Sequence, residues 1–404
     1  MGDHELTSES GREEMRTFVR HLLRDVDALD RMIQGDVFDK GHRVGAELEM
    51  FLVDAAMRPA PVSAEVLERA DDERLVTELA KFNMEANASP LLFEGRCLRG
   101  MHDELIELVG KAQRAAEASG ARVLLTGILP TLRQRHLGLD SMTEHPRYRR
   151  LNDALYEARG GAFDISIAGA DELDMRHDNV MFESANTSYQ LHFQVEPSEF
   201  ARLYNAAQLV TAPLLAAAVN SPLFVGKRLW SETRIALFQR SIDERRSVQH
   251  ARLAPPRVSF GDGWVKDSIL EVFREQIARF RVMLASTVDE DSLELVERGE
   301  TPALKALCLH NGTVYRWNRA CYGAAKGVAH LRIENRALPA GPSLGDQVGN
   351  AALFFGLLAS YRASGERASE QLSFHDAKSN FFAAARHGLQ AQFRWQGGRV
   401  LTAA

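Results

Sequence analysis

Cysteine is scarce in this 404-residue chain: Cys97, Cys308 and Cys321 are widely spaced and odd in number. A disulfide framework needs paired cysteines and a zinc ribbon needs them closely spaced, so both are excluded and a reducing compartment is expected. A strong excess of one charge is also lacking. Forty-nine Lys and Arg against 55 Asp and Glu leave a formal charge of −6, which argues against a broad basic nucleic-acid surface. No hydrophobic run reaches the about 20 residues that cross a bilayer. The most apolar tracts, 209–219 and 351–358, read as buried helices. No Pro- or Gly-rich linker, internal repeat or low-complexity stretch divides the chain. The polar, acidic start has no charged-then-apolar signal plan, and after Gly2 a myristoylation start would need Ser or Thr where Leu6 stands. These absences lead to the expectation of a cytoplasmic protein with neither nucleic-acid nor membrane partners.

With 45% hydrophobic and 26% charged residues the composition is that of an ordinary globular protein. The length exceeds the roughly 250–300 residues at which a single core stops growing, so one elaborated domain and two domains are both open. Met15, Phe18, Leu22, Val26, Leu29 and Ile33 recur at helical spacing, so an amphipathic helix spans 13–34. The period then changes to two. Over 43–53, Val44, Ala46, Leu48 and Met50 alternate with Gly45, Glu47, Glu49 and Phe51, the pattern of a half-buried strand. Further strands are expected at 187–195, at 330–338 and, fully buried, at 123–129. Helices are expected near 63–82, 100–119, 145–158, 198–218, 345–363 and 375–388. Long helices mixed with alternating strands, without a βαβ period, predict an α+β fold around an antiparallel sheet. One face of that sheet is apolar and packs on helices; the other carries acids, amides, a histidine and arginines.

That polar face is where chemistry is expected. Glu47 and Glu49 project from the same side of a strand, about 7 Å apart, and repel unless cations or water hold them. Glu85 and Glu94 follow in FNMEANASPLLFEG. Ser188, Gln190, His192 and Gln194 share one strand face that bears no apolar residue, so it should line a wet cavity or a ligand site. Glu334 stands between Arg332 and Arg336. The plain reading is a solvated ion pair of little energetic value; the functional one is a metal-binding carboxylate flanked by arginines that grip phosphate or carboxylate oxygens. Carboxylates with one imidazole suit Mg²⁺ or Mn²⁺ better than zinc. Such ions beside arginines are what phosphoryl transfer from ATP requires. Neither GxxxxGK[ST] nor a helix-opening GxGxxG is present, so a glycine-rich phosphate loop is not the device.

In order along the chain, VGAELEMFLVD, FNMEANASPLLFEG, ANTSYQLHFQV, NSPLFVGKRLWSETRIALFQRS and HLRIENRALPAGPS resemble the glutamate–cysteine ligase family, in its second, plant and bacterial branch related to the carboxylate–amine ligases. The resemblance spans about residues 40–390. It implies a curved antiparallel sheet like that of glutamine synthetase and the guanidino kinases, holding ATP and Mg²⁺. It also implies a reaction in which ATP phosphorylates the γ-carboxylate of glutamate and the amino group of cysteine displaces phosphate, giving γ-glutamylcysteine. By the same resemblance Glu47, Glu49, Glu85, Glu94, Gln190, His192 and Glu334 bind metal, although many relatives carry His where Gln190 stands. Arg336 contacts phosphate, Arg234 lies near the transferred phosphate or the substrate carboxylate, and Arg332, Arg319, Asn220 and Trp317 belong to the walls for substrate and ATP. The implied organisation is a helical extension over 1–39 and a single catalytic domain over 40–404. Familiar members run on beyond the equivalent of Ala404 through a further helical segment. A carboxylate–amine ligase for another amine, or a non-catalytic binder of ATP or glutamate, would share these motifs.

Overall fold

The computed structural model describes residues 9–245 and 255–404; Gly2 and Leu6, and with them residues 1–8 of the 1–39 extension, lie outside the described residues. The opening amphipathic pattern folds as α1 (Glu9–Gln34). Its Phe18, Leu22, Val26, Leu29 and Met32 are buried in one apolar cluster with the sheet residues Val44, Leu48, Leu191 and Ile333. Asp25 is buried in the same helix, where it accepts hydrogen bonds from the Ser292 hydroxyl and from the Leu307 backbone N–H. β1 (Arg43–Val53) follows with the expected bounds.

The single helix expected over 63–82 does not form. α2 (Ser63–Ala70) ends at Asp71, whose φ of 45° is left-handed, and Asp72 then accepts from the Arg74 N–H and side chain. This side-chain turn competes with helix continuation, and the chain leaves it as β2 (Leu75–Thr77). Next come β3 (Asn83–Leu92), α3 (Cys97–Ala118) and β4 (Arg122–Leu124). The strand expected to run to Leu129 stops early. Gly127 passes so close to Arg234 and Pro339 that an added Cβ would lie 2.9 Å from each, and its backbone bonds to Asn220 and Thr187 instead of continuing β4.

Beyond α4 (Pro146–Arg159), an unanticipated hairpin, β5 (Phe163–Ala168) and β6 (Glu172–His177), precedes β7 (Tyr189–Val195) and the almost wholly buried α5 (Phe200–Ala218). The short pair β8–β9 (Leu223–Phe224, Lys227–Arg228), α6 (Thr233–Ser241) and the parallel pair β10–β11 (Val258–Ser259, Tyr315–Arg316) lead to β12 (Asn318–Ala325), also unanticipated, and β13 (Val328–Asn335). Helices Leu344–Ser364 and Phe374–His387 fall close to their expected positions.

Seven strands form one sheet in the order β12-β13-β7-β1-β3-β2, with β4 on the far end of β1, and every pairing is antiparallel. The α+β fold with helices against the apolar sheet face is as expected. On the opposite face Phe51 and Val53 continue the parity of Glu47 and Glu49, but they are buried in a second apolar cluster with Leu151, Leu155, Ile235 and Phe381. One end of the polar face is thereby roofed by α4 and α6, and the acids are enclosed rather than spread on an open surface. Among the described residues no helix is long and apolar enough to cross a membrane.

Candidate active site

Antiparallel register lays the polar side chains out in rows. Arg319, Glu334, His192 and Gly45 are successive neighbours across β12, β13, β7 and β1. In the next row Gln190 faces Glu47, which faces Asn87, and beyond it Glu49 faces Glu85. Period-two alternation puts all of these on one face, and Gly45 leaves the space over His192 open.

Glu334 is the centre of the first row. Its carboxylate accepts from Arg319 at 2.8 Å and from Arg336 at 2.5 Å, and lies 3.2 Å from Cys321 Sγ. Burial alone would raise its pKa, but Arg319, Arg336 and His192 hold it well below the ordinary carboxylate range. Glu47 lies 2.9 Å from His192 Nε2. Burial pushes it up, and His192 and Arg336 outweigh that push, so it too stays below its usual value. Arg336 also donates to Gln190 Oε1.

The second centre is acidic. Carboxylate oxygens of Glu49, Glu78 and Glu85 all lie within 4.8 Å of one another. Glu49 is fixed by the Ser188 N–H at 2.6 Å, the Ser188 hydroxyl at 2.9 Å and Gln190 at 2.9 Å, and Asn87 donates to Glu85 at 3.0 Å. Burial raises all three. Glu78 is pushed up to about 8 by burial and by Glu49, and Glu85 is driven well above its ordinary value by burial and by Glu78, Glu47 and Glu49. Three buried carboxylates this close, with Glu49 raising Glu78 and both raising Glu85 and with oxygen the only donor atom, form a site that a hard divalent cation would relieve.

Two adjoining cavities share this face. One of about 750 Å³ is lined by Val44, Ala46, Ala88 and Val328 and also by Arg332 and His330. The other, of about 320 Å³, holds Glu49, Glu78 and Glu85 together with Arg319, Arg336 and Tyr148. Glu47 lines both. Gly323 leaves the room that His330 and Arg332 occupy, since a Cβ there would lie 2.6 Å from His330 Nε2.

Of the residues singled out in the sequence, Glu47, Glu49, Glu85, Gln190, His192, Glu334, Arg319 and Arg336 are brought together, and Arg332 lines the larger cavity. Four others are not brought to this cluster and, like the buried Glu334, line neither cavity. Glu94 is exposed in a bend past the end of β3, where the alternation that aims Glu85 inward has ended. Its expected place in the second acidic group is taken by Glu78, which the supposed long helix had hidden. Arg234 is buried and paired with Glu232 at 3.0 Å, and donates to the Ala337 carbonyl at 3.1 Å and to that of Arg336; it braces the chain that carries Arg336. Asn220 donates to the Ala340 carbonyl at 2.8 Å and, through its N–H, to Glu232, so it belongs to the same brace. Trp317 is 2% exposed and packs on Phe238 and Phe381 in the core. Glu183, Arg147 and Asn83 also line the smaller cavity; no periodicity or spacing marks them in the sequence.

No curated protein matches the sequence. Among solved structures the chain is similar to a glutamate–cysteine ligase from Francisella tularensis in complex with AMP, with a TM-score of 0.48 and 12% identity over 91% of this chain and 76% of that one. It is similar also to a bifunctional glutathione synthetase from Pasteurella multocida, with a TM-score of 0.46 and 11% identity over 90% of this chain; it spans 42% of that protein's length. The family model for glutamate-cysteine ligase family 2 matches residues 43–404, nearly the whole chain. The protein therefore belongs to glutamate-cysteine ligase family 2 and is an ATP-dependent ligase that forms a C–N bond.

Proposed function

We propose that the enzyme activates the γ-carboxylate of glutamate as an acyl phosphate and joins it to the amino group of cysteine, giving γ-glutamylcysteine, ADP and phosphate. The observation that carries the proposal is the Glu49–Glu78–Glu85 cluster, with oxygens within 4.8 Å of one another, beside the Arg319–Glu334–Arg336 ladder. A carboxylate is a poor electrophile until one of its oxygens becomes part of a leaving group, and an acyl phosphate supplies that.

In this reading the 750 Å³ cavity takes ATP. Its purine rests against Val44, Ala46, Ala88 and Val328, and its phosphates point towards Arg332 and the shared Glu47. The 320 Å³ cavity takes the amino acids. Glu49, Glu78 and Glu85 would hold one Mg²⁺, and Glu47, His192 and Glu334, with Gln190 at their edge, a second. When bound, such ions neutralise phosphate oxygens and polarise the carboxylate. The protein's own contribution is positioning. Arg336, held by Glu334 and Gln190 and steadied from behind by Arg234, points a fixed donor fork at the oxygens where negative charge gathers. The apolar roof over the acids keeps water from the acyl phosphate, which would otherwise hydrolyse.

Phosphate release with ATP, Mg²⁺ and glutamate should require an added amine, and mass spectrometry of the product names it. Glu334→Gln should lower turnover about 10²–10³-fold, the scale of losing a fixed electrostatic group, while the circular dichroism spectrum stays that of the wild type. Retained turnover in this variant would overturn the site assignment, and a product with an amine other than cysteine would overturn that choice of acceptor.

A further inference from the structure

The smaller cavity contains a group of acceptors that neither the acid cluster nor the arginine ladder uses. Glu183 Oε2, Asn83 Oδ1 and Asn186 Oδ1 are buried atoms without a hydrogen-bond partner among the described residues, and all three residues line that cavity. Their orientation is set by the backbone. Asn83 Nδ2 donates to the Ser184 carbonyl at 3.3 Å, and Asn186 Nδ2 to the Glu183 carbonyl at 3.0 Å. Each amide nitrogen is thus committed to a carbonyl, and each amide oxygen is the free end. Asn83 is only 3% exposed, so leaving its oxygen unpaired is costly unless a ligand supplies a donor.

Three orphaned acceptors, one of them a carboxylate oxygen, docked on a single turn at 180–186, match a group with several N–H donors and a positive charge. From this geometry we propose that Glu183, Asn83 and Asn186 form an ammonium recess for the α-amino group of the donor amino acid. The assignment rests on the ligase reading above, and chemistry chooses the donor over the acceptor. The acceptor's nitrogen must lose its proton and present a lone pair, whereas a tripod of acceptors keeps all three N–H bonds of an ammonium occupied. The α-ammonium of the donor stays charged throughout and is a spectator. Arg147, at the first turn of α4, lines the same cavity; its guanidinium has no hydrogen bond or ion pair among the described residues, and its Nη2 lies 3.9 Å from where a Cβ on Gly312 would be. It completes the recess as the partner of the donor's α-carboxylate.

A recess of this kind selects by leaving buried polar groups unpaired when the wrong ligand enters, an effect on the order of 10⁴-fold where a site is built around the missing group. Wild type should therefore prefer glutamate to glutarate, which lacks only the α-amino group, by at least about 10³-fold in kcat/KM. Glu183→Gln should reduce that preference to about tenfold, chiefly through KM for glutamate. Arg147→Ala, at an exposed position that should not disturb folding, should instead weaken discrimination against 4-aminobutyrate, which lacks the α-carboxylate. Equal use of glutamate and glutarate by wild type, or an unchanged ratio in Glu183→Gln, would overturn the recess. If wild type releases no phosphate with any amine, the ligase reading falls by itself. Calorimetric titration of glutamate and glutarate into both proteins then decides the recess: glutamate-selective binding lost in Glu183→Gln supports it, and equal binding overturns it.

Discussion

Replacing Glu85 by Gln removes one of three carboxylates crowded beneath the roof of the polar face. The amide keeps an acceptor for Asn87, which donates to Glu85 at 3.0 Å, so the change is close to a pure loss of charge. Two unit charges at the 4.8 Å bound of this cluster repel by about 3.5 kcal/mol at an effective dielectric of about 20. Glu78, pushed up to about 8, holds a proton for much of the time at pH 7, and Glu85 itself escapes part of the repulsion by protonating. We therefore expect the metal-free variant to gain about 1–3 kcal/mol, below the full Coulomb figure. Unfolding entropy near 2.1 cal/mol/K per residue makes each kcal/mol worth about 1 °C in a chain of 404 residues. Metal-free Glu85→Gln should thus melt about 1–4 °C above wild type by differential scanning calorimetry. Magnesium should reverse the order. A ligand at a hundred times its Kd stabilises by about 2.7 kcal/mol, so wild type gains about 3 °C and the variant gains little. A metal-free variant that melts below wild type, or one that retains the full magnesium shift, refutes the reasoning.

Two further outcomes follow from the core. Phe18, 2% exposed in α1, packs into the cluster that backs the sheet, so Phe18→Ala should cost about 3–5 kcal/mol and lower the urea midpoint; a loss under 1 kcal/mol would show that α1 docks only loosely. His177 is held down to about 4 by burial, stacked on Phe182 at 4.1 Å and bonded through Nδ1 to the Asn179 carbonyl. Between pH 4 and 6.5 the unfolded chain takes up this proton and the folded chain does not. The stability His177 contributes is therefore present above about 6.5 and lost as the pH falls towards 4, by up to about 3 kcal/mol. Urea midpoints at pH 7.5, 5.5 and 4.5 should decline less steeply in His177→Leu than in wild type, and parallel declines would contradict the assignment.

The alternations in β1, β7 and β13 were legible because a sheet with one face on a core imposes period two on any sequence that builds it. Glu47, Glu49, Gln190, His192 and Glu334 could be aimed at one face from spacing alone, and the α+β class followed from the same pattern. The misreadings have local causes. The apolar and polar residues of 63–82 suit a helix until Asp71 and Asp72 turn the chain, and that error hid Glu78. Glu94 looked equivalent to Glu85, but β3 ends at Leu92 and alternation carries no information beyond a strand's end. Trp317 and Arg234 sit in suggestive stretches, yet their side chains point into the core and into a backbone brace.

By itself the sequence determined the class of fold, the strands that carry the acids and the family to which their order belongs, because those follow from periodicity and from motifs in line. Only the tertiary structure decided which acids meet. Glu78 joins Glu49 and Glu85, Arg319 joins Arg336 on Glu334, and Asn83 comes to rest on the turn that bears Glu183. Some of these partners are close in sequence, but Arg319 and Glu334 are 15 residues apart and Asn83 and Ser184 101 apart; strand register and the apolar roof bring them together, and no local pattern encodes that.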